Sequence, residues 1–169
     1  MSQPDVWLRG PVDGVPVPLQ PAAHALLQAL EEVDRAVAAL PPDALWRRPG
    51  QAASPGFHLK HLIGATDRLL TYARDERLSD AQREWLRLEP RDGEPATTSA
   101  AELAGRFRAV VEAGLDQYRK TPPEALTNPL GIGRARLPTT VLGCLFHAGE
   151  HAARHAGQLL TTVKALAGS

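Results

Sequence analysis

Six histidines stand in this chain, and five of them fall in two stretches with helical apolar spacing. His58 and His61 lie in one stretch; His147, His151 and His155 recur at every fourth position in the other. At about 100° per residue, three positions four apart span roughly 80° of arc, so they share one helix face. Imidazoles spaced in this way can bring nitrogens to one metal ion, and a third from a facing helix completes a three-nitrogen site with open positions. On the later stretch the apolar stripe centres near Ala152 and Leu159. His155 borders that stripe, His151 is next and His147 lies furthest out, so His151 and His155 form the inward pair. On the earlier stretch two readings stand. Periodicity slightly favours His58 as the buried residue, whereas His61, at the stripe's edge, has the place expected of a ligand in a groove between helices. A lone helical histidine is usually solvated or satisfied, but three at four-residue intervals exceed what composition alone supplies.

The elements that must position these rings are helices. Leu26, Leu27, Leu30, Val33, Val37 and Leu40 follow Pro21 at helical intervals, and Pro41-Pro42 stops the run. Ser54-Pro55 reads as an N-cap with proline in the first turn, opening a helix to about Asp75 whose solvent face carries Lys60, Asp67 and Thr71. Ser79-x-x-Gln82 and Ser99-x-x-Glu102 are capping boxes, the first for a short helix near 79–90 that RDGEP breaks, the second for a long helix ending at Pro122-Pro123. Residues 121–137 read as a long Pro/Gly loop, and Pro138 opens the last and longest helix. His24 falls opposite the apolar face of its helix and is expected in solvent. No strand-like alternation is visible. The expected fold is all-α: four long amphipathic helices and a short fifth.

At 169 residues the chain is one domain, with a Pro-rich arm over 1–20 and the helical domain over 21–169. Nineteen basic residues balance nineteen acidic ones, which argues against a nucleic-acid partner. No apolar run is long enough for a membrane span, and no signal peptide is visible, so a cytoplasmic location is expected. Cys144 is the single cysteine; on the core side of its helix it reads as a small hydrophobe.

Trp46-Arg-Arg-Pro, then Ser54-Pro-Gly-Phe-His-Leu-Lys-His61-Leu and GATDRLLTYA, resembles the second helix of the DinB-like superfamily. Gly133-Arg134, Leu137-Pro-Thr-Thr-Val141 and LFHAGEHAARHAGQ are similar to the family's last helix. The family is distinct from the DNA polymerase sometimes given the same label. The resemblance covers about residues 20–166 and implies a four-helix bundle of up-down-down-up order, with the short extra helix between helices 2 and 3. It further implies a metal site whose ligands match His61, His151 and His155, not His58 or His147. It leaves the catalytic residues unknown.

The cofactor expected from that resemblance is one divalent ion, zinc or nickel foremost, with iron or manganese as alternatives. Several members transfer low-molecular-weight thiols such as bacillithiol or mycothiol, so the implied activity is transfer of a small thiol to a small electrophile. The alternatives are a non-catalytic metal-binding module of a stress response and a helical dimer acting in protein interaction. Arg68, Tyr72, His58, His147 and Arg154 are candidates for substrate binding or for support of the ligands, and the loop 121–137 and the bundle mouth are expected to hold the electrophile. A homodimer is expected, with neither nucleic acid nor membrane as partner.

Overall fold

Helix boundaries follow the capping residues. The computed structural model describes residues 4–93 and 98–168, with helices α1 (Gln20–Ala38), α2 (Pro55–Ala73), α3 (Asp80–Leu88), α4 (Ala100–Lys120) and α5 (Val141–Ala167). Ser54 Oγ accepts from Phe57 N at 3.1 Å, and Pro55 sits in the first turn, where its missing N–H costs nothing. Both expected capping boxes form, Ser79 with Gln82 and Ser99 with Glu102. Glu94 and Pro95 of the RDGEP break lie outside the described residues, as do residues 1–3 of the arm.

The last helix starts later than the sequence predicts. Thr140, not Pro138, borders α5; its Oγ1 accepts from Gly143 N at 3.0 Å. Pro138 instead lies in a strand: β1 (Pro129–Ile132) pairs antiparallel with β2 (Leu137–Thr140). The expected open loop is therefore a hairpin preceded by a 3-10 turn at Pro123–Ala125. Strands of four residues are too short to show alternation, and only Leu130 of this pair is buried.

The Pro-rich arm packs along α1 through buried Val6, Val15 and Leu19. The Gln20 side chain fastens it, accepting from Val12 N at 2.7 Å and donating to Val12 O and Val15 O at 2.8 and 2.9 Å. His24 is thus half-buried, its Nε2 3.0 Å from Gly10 O, and not in open solvent as expected.

Each of α1 and α2 packs on both α4 and α5, and these four helices close around one core. Leu26, Val33, Leu59, Leu62, Phe107, Val111, Leu145 and Leu159 fill it. Buried Tyr118 donates its hydroxyl to Leu145 O at 2.7 Å, and burial raises its pKa. The short helix α3 covers the outer face of α2, so Lys60 and Thr71 are buried there. That corrects the solvent face expected for them; spacing within α2 alone cannot show that a second layer covers it. No described helix is long and apolar enough to cross a membrane.

Where α5 crosses α1 the backbones nearly touch. A Cβ on Gly149 would stand 2.6 Å from the Ala22 carbonyl oxygen and 3.1 Å from its Cα. Backbone cannot swing aside as a side chain can. Gly149→Ala is therefore expected to lower unfolding stability by about 1–3 kcal/mol with helicity retained, measured by urea denaturation followed by circular dichroism. Unchanged stability would show that the crossing is not tight.

Candidate metal centre

Helix α2 carries His61 at its edge, and α5 carries His151 and His155 one turn apart, all three half-buried. One ring nitrogen from each lies within 4.8 Å of the others. The ring centroids are 4.4 Å (His61–His155), 4.5 Å (His151–His155) and 5.1 Å (His61–His151) apart. His61 Nε2 and His151 Nε2 face each other at 2.9 Å. Two nitrogens each about 2.1 Å from one ion stand about 3.0 Å apart when the angle at the ion is near 90°. The donor set and its spacing therefore fit a divalent ion held by three imidazoles.

The electrostatics favour the ligating form. Burial, followed by repulsion from the His61 ring, pushes both His151 and His155 down to about 4. At neutral pH their rings are neutral and keep a lone pair for a cation.

Behind His61 stands a residue that the periodicity did not single out. Glu89, just past α3 and 4% exposed, places Oε2 3.0 Å from His61 Nδ1. Arg68 grips the same carboxylate, one nitrogen on Oε1 and Nη2 3.3 Å from Oε2. Arg68 is thus taken up inside the protein and does not stand free for a substrate. The one sequence signal for this contact is Gly64, a glycine inside a helix, which is ordinarily destabilising. A Cβ there would lie 2.1 Å from Glu89 Oε1 and 2.5 Å from the Trp85 ring.

The other candidates lie outside the cluster. His58 is buried, its ring centroid 6.0 Å from His155 and its Nε2 3.5 Å from Thr162 Oγ1; burial lowers its pKa. His147 is exposed, with Nδ1 3.1 Å from Glu150 Oε2, and Arg154 pairs with Glu150 Oε1 through Nε at 3.0 Å. Tyr72 packs half-buried against the core. Cys144 donates to Leu69 O at 3.2 Å, and burial raises its thiol to about 11, which keeps it protonated at neutral pH.

Next to His155 opens a groove of about 650 Å³ lined by Phe57, His58, Arg154, Gln158 and Thr162. Residues 121–137 do not border it. They line a separate cavity of about 690 Å³ with Arg74, Lys120 and Val141. Val141 precedes His151 by about 15 Å along the helix axis. The segment expected to hold the electrophile thus lies at the N-terminal end of α5, away from the histidine cluster.

The depressed histidines set the acid behaviour of the metal-free protein. Unfolded histidine takes a proton near 6.5, whereas His151 and His155 in the fold do so near 4. Between those values the unfolded chain binds more protons, so stability is lost as pH falls through the window. Urea midpoints of metal-free protein are expected to drop from pH 6.5 to 4. His151→Gln/His155→Gln should flatten the drop, and an equally steep drop in that double variant would show that other groups cause it.

Comparison with known proteins bears on these residues. No curated protein matches the chain. The sequence profile of the DinB superfamily does match, over residues 25–159, a span that contains His61, His151 and His155 together with all of α2 and most of α5. On that match over most of its length, the chain belongs to the DinB superfamily.

Proposed function

We propose that this protein is a divalent-metal-dependent enzyme that transfers a low-molecular-weight thiol to a small electrophile, built on the family's up-down-down-up four-helix bundle. The carrying observation is the convergence of the His61, His151 and His155 nitrogens beside an open groove. These three residues would hold the ion, zinc or nickel foremost. When bound, such an ion lowers the pKa of a coordinated thiol or water.

The chain's own groups do the rest. Neutral His151 and His155 carry no charge that would repel a cation, and at His151 the Nε2 proton shared with His61 would leave that nitrogen on ligation. Phe57 stacks parallel to His61, at 6° between ring planes, and gives the groove an apolar wall. Arg154, on the groove's rim, is paired with Glu150 and would exchange that carboxylate for an anionic group of the thiol or the electrophile. In the transfer the new carbon–sulfur bond forms as the electrophile's leaving group departs with its electron pair, and the thiol proton passes to water. Reduced small thiols are a feature of the cytoplasm, and that location belongs to this reading. So does a homodimer.

Metal analysis of protein purified without chelator or nickel resin is expected to give about one divalent ion per chain. His151→Ala or His155→Ala should abolish it; His24→Ala, under the arm, should leave it intact. A screen of small thiols against electrophiles should then find turnover that these two alanine variants lack. Stoichiometric metal in a variant lacking all three histidines would overturn the site. Metal without turnover across the panel would favour the non-catalytic module. For the assembly, sedimentation at micromolar concentration should give twice 18.2 kDa, and a single species at 18.2 kDa would refute the dimer.

A further inference from the structure

The two nitrogens of His61 face different partners. Nε2 points to His151, and Nδ1 meets Glu89 Oε2 at 3.0 Å. A carboxylate paired with Arg68 can only accept, so Nδ1 carries the proton and Nε2 keeps its lone pair toward the donor cluster. Across the 2.9 Å contact His151 Nε2 must then donate in the metal-free protein. His61 is thus held in the ligating tautomer beforehand. The other two ligands have no such support, since Nδ1 of His151 and Nδ1 of His155 are buried without a hydrogen-bond partner.

The helix that delivers Glu89 is a thin outer layer over α2. Not one residue of α3 is fully buried. Yet its end is fastened with unusual care. Lys60 Nζ, inside the protein, donates to Leu88 O and Arg91 O at 2.7 and 2.5 Å, on either side of Glu89. Trp85 Nε1 donates to Lys60 O at 3.0 Å. Asp92 accepts from Ser54 Oγ at 2.7 Å and from Arg48 Nε at 2.6 Å. Gly64 leaves the space in which Glu89 and Trp85 meet α2 beside Arg68. The end of this outer-layer helix is thus held by buried Lys60, half-buried Arg68 and the buried carboxylate of Glu89.

We propose that Glu89, clamped by Arg68 and by the Lys60-capped end of α3, is the positioning residue that fixes the His61 tautomer and so sets the affinity of the three-histidine site for a divalent cation. The part concerning affinity rests on the metal-site reading above; the part concerning the tautomer does not. Carboxylate partners behind ligating histidines raise ligand basicity and hold ring orientation, and their loss typically costs about 10–100-fold in metal affinity. With the other two rings unsupported, that effect falls on one residue here.

The test uses the full chain, labelled with ¹⁵N in histidine, and Zn(II) as probe. In metal-free wild type, the His61 ring nitrogens should show protonation at Nδ1 alone. Glu89→Gln should mix the two tautomers and weaken Zn(II) binding, measured by chelator competition, by about 10–100-fold. Asp92→Asn loosens the same segment without touching His61, and should leave tautomer and affinity within about 2-fold of wild type while lowering thermal stability; an equal loss of affinity in that variant would reduce Glu89 to a structural role. An Nε2-protonated or exchanging His61 in wild type overturns the proposal even if Glu89→Gln does not fold. So does a folded Glu89→Gln with unchanged tautomer and affinity. Wild type that binds no Zn(II) refutes the metal-site reading, and the tautomer measurement still decides the role of Glu89.

Discussion

Everything at the site depends on how closely α5 approaches α1 and α2. The buried face of α5 runs through Ala148, Gly149, Ala152 and Ala156, and Gly149 lies against the Ala22 backbone. Interaxial distance is set by side chains at the contact, about 8–10 Å in general, and small residues bring it to the low end. His151 and His155 directly precede Ala152 and Ala156 in the chain. Their rings therefore start close to α2 and reach His61 across the seam. Larger side chains at the alanine positions would widen that seam and carry the imidazoles out of shared reach. Packing thus fixes the chemistry, and the apolar core centred on Leu59, Leu62, Leu145 and Leu159 holds the packing.

Around that seam the protein buries polar groups that a core alone would not include. Removing an ion from water costs several kcal/mol even after relaxation, so each buried charge must be matched. Lys60 is matched by two carbonyls and the Trp46 ring, whose centroid lies 5.1 Å from its ammonium. Arg68 and Glu89 match each other. His58, His151 and His155 meet the same constraint differently: burial lowers their pKa and they stay neutral. The outer layer is charged and paired, while the inner layer is neutral and rich in lone pairs. A cation entering the inner layer would meet neutral rings, and would displace only the proton that bridges His151 Nε2 and His61 Nε2.

Legibility from sequence followed the range of the interactions. Caps and i to i+4 spacing are local, so Ser54, Ser79, Ser99 and the His151–His155 pair could be read directly. The choice between His58 and His61 could not, because both rings meet α5, His58 at Thr162 and His155 and His61 at His151 and His155, and only the packed helices bring His61 within reach of both ligand rings; the greater burial that periodicity favours for His58 is observed. Lys60 and Thr71 are placed in solvent by periodicity because their cover, α3, though next in the chain, folds back over α2 in a way that spacing within α2 does not encode. Glu89 had no local signature beyond the glycine opposite it. The β1–β2 hairpin escaped because its strands are four residues each, shorter than the window in which alternation becomes visible.

The placement of the two cavities completes the physical picture. The hairpin and the residues before it wall a cavity at the N-terminal end of α5, whereas the groove beside His155 opens between the start of α2 and the later turns of α5. The histidines sit on long helices, whose backbone hydrogen bonds and buried faces limit motion, and not on the connecting segments. A ligand set held in this way keeps its spacing when the groove fills or empties. Phe57, stacked on His61, and His58, tilted toward His155, join groove to cluster through ring contacts and not through a loop. The rim of the groove carries Arg154, Gln158 and Thr161, which are exposed and can differ without disturbing the core.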